Sequence, residues 1–459
     1  KRLIDVYSLV EREAADPVES DKLFYEGAIP GMLRRLDPHS VFFDPAQFEQ
    51  LKQLQTSTQK GFGSVVSVLP GRVIFLQTLP GTPSAKSGIA AGDEILAING
   101  YVLARLEMEQ IVGLLSQSRQ QPARLDVRRL GNARLLQFVL TPEELQAPSV
   151  ERAFFLQPGI GYVRVASFDE KTGEEVRKAI ETLGGNSLKG LVLDLRNNPG
   201  GLLPAALHTA SLFLDPGRKL LTVRGRKVPE QDQNVPEQSQ PYRFPLAVLI
   251  NGKSASGAEI VSGALQDHDR AAIVGEASFG KGLVESVFPL SEGAGLALTT
   301  ALYYTPSGRS IQRPLTGGEF ALSATTSKPG AEFRTTVGRL VKGGGGIEPD
   351  HVVHLEAQSR LRVVLDASGS FTTFATEYTR RHTGIAERFA VTPALLDEFR
   401  VFLSERNIRP SIGEWSAERD FIANRLKTEI FNQTLGVAKG DEVEAQRDPQ
   451  ILKALETLR

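Results

Sequence analysis

The sequence predicts a multidomain α/β chain: a helical N-terminal arm at 1–60, a small β-rich domain at 61–145, an α/β core at 146–355 and a helical C-terminal domain at 356–459. Three observations carry this. The chain has 459 residues, too many for one compact unit and enough for about three at ~150 residues each. The spacing of apolar residues changes from helical to strand-like, then to an alternation of both. Gly and Pro clusters fall where the spacing changes.

In the arm, Leu3, Val6, Leu9 and Val10 recur at helical spacing, and Gly27-Ala-Ile-Pro-Gly-Met-Leu continues the pattern until Leu36-Asp-Pro-His-Ser interrupts it. From Gly61 to Pro142 the apolar runs shorten (Val65–Val68, Val73–Leu76, Glu94–Ile98, Leu125–Arg129, Leu135–Leu140), with turn signals at Pro70-Gly71, Pro80-Gly81 and Asn99-Gly100. Within this domain Met108, Ile111, Val112 and Leu115 predict one amphipathic helix. From Pro158 to Leu355 apolar strands such as Leu191-Val-Leu-Asp-Leu and Leu246-Ala-Val-Leu-Ile alternate with helices at 174–183, 203–214 and 258–265, the pattern of an α/β layer fold. The polar stretch 228–241 lacks any period and predicts an exposed loop. In the tail, Leu395, Leu396, Phe399, Phe402 and Leu403 form one stripe and Phe421, Ile422, Leu426 and Ile430 another. The helical terminal regions are therefore candidate homodimer contacts.

Composition removes several function classes. Lys+Arg 53 against Asp+Glu 54 leaves a net charge of −1, so no basic field argues for nucleic acid. With no cysteine there are no disulfides, thiolate metal sites or cysteine nucleophile, and the chemistry left is that of Ser, Lys, His and carboxylates. No run approaches the ~18–20 apolar residues of a membrane span. A soluble chain is expected, beginning at Lys1 in an amphipathic segment with any targeting peptide already removed.

The segment Ala247-Val-Leu-Ile-Asn-Gly-Lys-Ser-Ala-Ser-Gly-Ala-Glu-Ile-Val is a buried-type strand, a small-residue turn and a helix start. Such a turn exposes a hydroxyl at a helix N-terminus, where free N–H groups and partial positive charge favour an oxyanion. Ser256-Gly-Ala-Glu259 is equally a capping box, in which Ser256 only satisfies orphan amides. Downstream, Lys281 stands between Gly280 and Gly282. The spacing Gly275-x-x-x-x-Gly280-Lys281 approaches a phosphate-binding loop, but Gly282 replaces its Ser/Thr and the β-branched run ending in Pro289 cannot be the required helix. The remaining reading is a dyad: Ser256 as nucleophile and Lys281 as base, the lysine neutralised by desolvation against walls such as Phe279 and Leu283.

Taken together, these motifs resemble the C-terminal processing peptidases, the PDZ-containing serine proteases of family S41. The resemblance runs through Leu36-Asp-Pro-His-Ser, the β domain, Leu193-Asp-Leu-Arg-Asn-Asn-Pro-Gly-Gly, Ser254-Ala-Ser-Gly-Ala-Glu, Glu276-Ala-Ser-Phe-Gly-Lys-Gly, Leu298 to Gln312 and Gly346-Ile-Glu-Pro-Asp. It implies a ClpP/crotonase-like α/β protease core, Ser256 as nucleophile and Lys281 as base 25 residues later. It also implies an oxyanion hole from the Gly257 N–H and that of Gly200 or Gly201, Gly200 being favoured. No cofactor and no metal are implied, and the expected location is the periplasm or another extracytoplasmic compartment.

One position departs from the family. Where Gln usually follows the lysine by four residues, this chain has Glu285, and residues i and i+4 of a strand share a face. An ionised Glu285 would favour charged Lys281, the wrong direction for a base, so Glu285 is counted with the catalytic candidates. The β domain reads as a PDZ module: Gly61-Phe62-Gly63-Ser64 resembles its carboxylate-binding loop, whose N–H groups accept a peptide C-terminus. Expected partners are proteins or peptides with flexible C-termini. The competing reading is an inactive PDZ scaffold with Lys281 held charged by Glu285. Among the histidines, His268 is the one a Ser-His-Asp triad would recruit and reads as a helix-end residue, while His351 and His354 lack a third metal ligand.

Overall fold

The computed structural model describes residues 2–55, 58–315, 328–355 and 357–459. Lys1 and residue 356, the expected start of the C-terminal domain, lie outside the described residues. No described helix is long and apolar enough to cross a membrane.

The α/β core is built on a six-stranded sheet in the order Val150–Gln157, Ile160–Val165, Gly190–Asp194, Leu246–Ile250, Ala272–Gly275, His351–Val352. The first two strands form an antiparallel hairpin and the rest run parallel. Parallel strands need both faces covered, which is why Leu246–Ile250 is apolar and buried throughout. On one face lie the helices Thr172–Thr182, Leu203–Ser211 and Gly257–Asp267, closing a core with Val163, Leu193, Val248 and Ile273. The opposite face, with Val192, Ala247, Leu249 and Val274, is covered by Ile451, Ala454, Leu455 and Leu458 from the end of the chain.

A second, five-stranded sheet is centred on Gly295–Tyr304. Leu283–Pro289 pairs along one side of it, Val41–Phe43 and Lys219–Arg224 along the other. Two expectations are corrected here. The N-terminal arm is not wholly helical, because Val41–Phe43 is a strand of this sheet, with Val41 opposite Ala297. Three residues are too few to show a period, and pairing with a waiting strand decides their conformation. The polar 228–241 stretch is not all loop, because Gln231–Asn234 pairs with Lys219–Arg224. At this outer position the polar side chains find cross-strand partners, Asp232 meeting Lys219 at 2.7 Å.

The β domain holds Ser64–Leu69, Arg72–Thr78, Glu94–Ile98, Ala123–Arg128 and Leu136–Leu140 in one antiparallel sheet, with the helix Met108–Ser118 against it. Ile111 is buried, but Val112 is 48% exposed and Leu114 packs inward instead. The C-terminal stripes pack as expected: Phe371, Phe374, Phe399, Phe402, Trp415, Leu426 and Ile430 form one cluster across three helices. That bundle also touches the β domain, where Arg72 donates to Thr373 Oγ1 (2.6 Å) and Val437 N–H to Gln77 Oε1 (2.9 Å).

Candidate active site

Strand Leu246–Ile250 delivers the chain into a turn that Ser254 fixes, its Oγ accepting from Asn251 N–H (2.9 Å) and donating to Leu195 O (2.8 Å). Ser256 follows at φ 51°, ψ −111°, a conformation a non-glycine residue adopts only under constraint, and Gly257–Asp267 starts behind it. The capping box is present in an altered form. Glu259 Oε2 accepts from Ser256 N–H (2.8 Å), whereas Glu259 N–H is taken by the Ser256 carbonyl (2.9 Å) and the serine hydroxyl makes no regular cap hydrogen bond. The hydroxyl of a half-buried Ser256 is thus left at the helix N-terminus.

Glu259 does more than close a helix. Fully buried, its carboxylate accepts from four donors: Ser256 N–H and Lys281 N–H (2.9 Å) at Oε2, Gly280 N–H (2.7 Å) and the Ser278 hydroxyl (2.5 Å) at Oε1. Burial pushes its pKa up to about 7, against the opposing pull of these four donors. Tyr303 adds a second brace, its hydroxyl 2.7 Å from Lys281 O and 3.2 Å from Ser256 O. Residues 25 apart in sequence are therefore bolted together through one carboxylate and one phenol.

Lys281 lies in the turn before Leu283–Pro289, and its Nζ meets Glu285 Oε1 at 3.1 Å, with the two side chains 20% and 26% exposed. The strand carries a bulge between Val284 and Glu285, so the contact does not follow from simple alternation. Among the described residues no hydrogen bond joins Lys281 Nζ to Ser256 Oγ in this conformation; Nζ lies against Glu285 instead. Of the expected walls, Leu283 is buried against Leu302 and Tyr304, but Phe279 is 47% exposed.

A third ionisable group adjoins the pair. Asp37, 2% exposed, accepts from His39 N–H (2.7 Å), Ser40 N–H (2.7 Å) and Ser40 Oγ (2.8 Å), and Ser40 Oγ accepts from Thr299 N–H, whose residue faces Glu285 across the sheet. The imidazole of His39 has its pKa lowered, first by burial and then by Lys281, with Glu285 pulling the other way.

Gly200 of the 197–201 turn sits against Ser256, and Gly201 against Phe168. A Cβ on Gly200 (φ +98°) would fall 2.7 Å from Ser256 Cβ and 2.9 Å from Gly257 N. Gly257 opens its helix, so its N–H has no intrahelical acceptor. The Gly200 N–H, favoured from sequence for the oxyanion, is instead donated to Asn198 Oδ1 (2.8 Å). Gly201, at φ +142°, bridges to Phe168 through neighbouring amides and leaves its own N–H out of that bridge. Asn198 is anchored in turn by donating to Val165 O (2.9 Å) and accepting Ala255 N–H on its carbonyl (2.9 Å).

Other candidates lie apart. His268 caps the far end of the Ser256 helix, about 18 Å away at 1.5 Å per residue, and bonds Lys219 O at 2.6 Å. His354 is exposed beside Glu276, and no group of His, Asp and Glu among the described residues is arranged for a metal ion. In the β domain, Gly63 (φ +72°) has its carbonyl bonded by Leu79 N–H (2.8 Å), and a Cβ there would meet Thr82 at 2.2 Å. Phe62 O is taken by Ser84 N–H (2.9 Å), and Gly61 and Ser64 end the flanking strands. Sequence reasoning missed the bracing roles of Glu259 and Tyr303 and the placement of His39. For Glu259 the Ser-x-x-Glu spacing was a signal; for Tyr303 there was none.

Residues 159–317 match peptidase family S41 and residues 75–129 match the PDZ domain family. A carboxy-terminal-processing protease of Bartonella bacilliformis is 38% identical over 321 residues, covering 68% of this chain and 72% of that protein. A carboxyl-terminal-processing protease of Synechocystis is 34% identical over 292 residues, covering 62% of this chain and 68% of that protein. Among solved structures, the photosystem II D1 C-terminal processing protease aligns with 77% of this chain and 86% of its own at 27% identity and a TM-score of 0.42.

Proposed function

The chain belongs to peptidase family S41, the carboxy-terminal processing proteases, and from that premise we propose that this PDZ-containing serine peptidase works through a Ser256/Lys281 dyad on proteins presented by their C-terminal tails. The observation that carries the reading is the Glu259 carboxylate, which holds the backbone of both residues at 2.8 and 2.9 Å. Ser256 Oγ attacks the scissile carbonyl; Lys281, once deprotonated and released from Glu285, takes the hydroxyl proton and returns it to the leaving amine. The oxyanion is met by Gly257 N–H and by an amide of the 197–201 turn. The Gly201 N–H is left out of the bridge to Phe168, whereas Gly200 must first exchange its bond to Asn198. The Gly61–Ser64 loop of the PDZ domain receives the substrate carboxylate, and work outside the cytoplasm agrees with the family.

Cleavage of an unfolded test protein by the native chain, abolished in both Ser256→Ala and Lys281→Ala with folding retained, supports the dyad. Native-rate cleavage by either variant contradicts it. The Lys281–Glu285 ion pair favours a second reading, a PDZ peptide-binding scaffold with a silenced site. C-terminal peptide binding without proteolysis by the native chain, and without gain in Glu285→Gln, would select it.

A further inference from the structure

The last helix reaches the active site from behind. Arg196 leaves strand Gly190–Asp194 immediately before the 197–201 turn, with only 14% of its side chain exposed. Its Nε and Nη2 donate to the Asp194 carboxylate (2.6–3.0 Å), whose Oδ2 also accepts from Tyr162 OH (2.7 Å). Its Nη1 turns outward to the C-terminal segment, donating to Asp448 Oδ2 (2.6 Å) and Gln450 Oε1 (3.0 Å). Asp448 also caps the helix Pro449–Thr457 through Oδ1, accepting from Gln450 N–H (2.8 Å) and Ile451 N–H (3.1 Å). Gln450, 1% exposed, spends its amide N–H on Val353 O (2.8 Å). On its other side Arg196 is followed by Asn197, at φ 60° with its N–H on Asn251 Oδ1 (3.0 Å), and by Asn198, which holds Gly200 and the Ala255 N–H.

We propose that Asp448 and Gln450 are positioning residues for the peptidase reaction: they fix the Arg196 guanidinium, and through it the 197–201 turn that offers its amide to the oxyanion. The proposal rests on the role given to that turn above. A guanidinium held by Asp194 alone pivots about one carboxylate; a second charged acceptor on the opposite edge removes that freedom. The turn it precedes holds a strained Asn197 at φ 60° and two glycines, Gly200 and Gly201, whose backbone is free to rotate, so its amide direction depends on what anchors its start. A misdirected amide weakens only the interaction made in the transition state, so kcat falls while KM stays.

Asp448→Asn separates this role from folding, because Asn caps a helix as well as Asp does while losing the charge opposite Arg196. The expected result is kcat lowered by about 10-fold with KM within about 2-fold of native, and no matching loss in thermal midpoint. In Asp448→Asn/Gln450→Glu, a carboxylate returns 3.0 Å from Arg196 two residues along the chain, although the bond to Val353 O is lost, and kcat recovers in part. Native kcat in Asp448→Asn overturns the proposal. So does a loss that follows the folded fraction and is not recovered by the double variant. An inactive native chain, or an active Ser256→Ala control, fails the dyad reading itself and the proposal with it.

Discussion

Glu259 concentrates the account at the scale of one residue. In Glu259→Gln an NH2 faces two of the four donors now served by oxygen, leaving buried N–H groups unmatched at a cost of about 2 kcal/mol. Thermal melts will read that loss, and turnover should fall with it as Ser256 and Lys281 drift apart. The native carboxyl also makes stability depend on pH. Its folded pKa of about 7 lies above the ordinary 4.5, so the folded state binds the proton more tightly and stability falls as pH rises from about 4.5 to about 7. In the Gln variant this slope disappears from the pH series. Glu285 makes a separate prediction. Glu285→Gln removes the carboxylate that holds Lys281 Nζ at 3.1 Å, so the lysine is freer to turn toward Ser256 and the turnover rate rises several-fold. An unchanged rate would mean the ion pair is a bystander. Ser256 and Lys281 were named through the resemblance to family S41, and Glu285 as a departure from it; nothing named Tyr303, whose hydroxyl reaches both carbonyls only after two sheets have packed.

Among elements, the short strand Val41–Phe43 has most to say about what the sequence concealed. Helical spacing in the arm was legible up to Leu36, but a three-residue strand has no period, and its partner lies more than 250 residues away. The Asp37 turn places this strand and sets His39 beside Lys281 and Glu285. Asp37→Ala leaves three buried or half-buried donors without their acceptor and should cost about 2–4 kcal/mol. Hydrogen exchange would rise in Gly295–Tyr304 as its edge pairing loosens, and activity would fall although the residues matched to family S41 are untouched. Protection of Gly295–Tyr304 at the native level would show that the arm is dispensable to the sheet. The alternation of strand and helix across the core was legible because parallel strands must be apolar on both faces. That the second face is covered by Ile451, Ala454 and Leu455 was not, since an amphipathic helix at the chain's end gives no sign of where it docks.

In the whole molecule, a PDZ domain, a peptidase core and a helical bundle meet through specific contacts, with the bundle touching the PDZ sheet at Arg72 and Gln77. Turn signals and period changes exposed the separate units; the contacts between them depend on single polar side chains and were invisible in sequence. If the PDZ loop selects tails, Gly63→Val, which drives a branched Cβ into Thr82 at a positive φ, should raise KM for a protein with a flexible C-terminus by about 10-fold. Cleavage of a short peptide ester would be unchanged. Equal effects on both substrates would assign the loop to folding. The central claim, that Ser256 is a nucleophile activated by Lys281, is tested most directly by peptide mapping after reaction with a serine-directed fluorophosphonate. The account predicts one adduct, on Ser256, formed at least about 100-fold more slowly in Lys281→Ala; an adduct on another residue, or native-rate labelling in that variant, would contradict it.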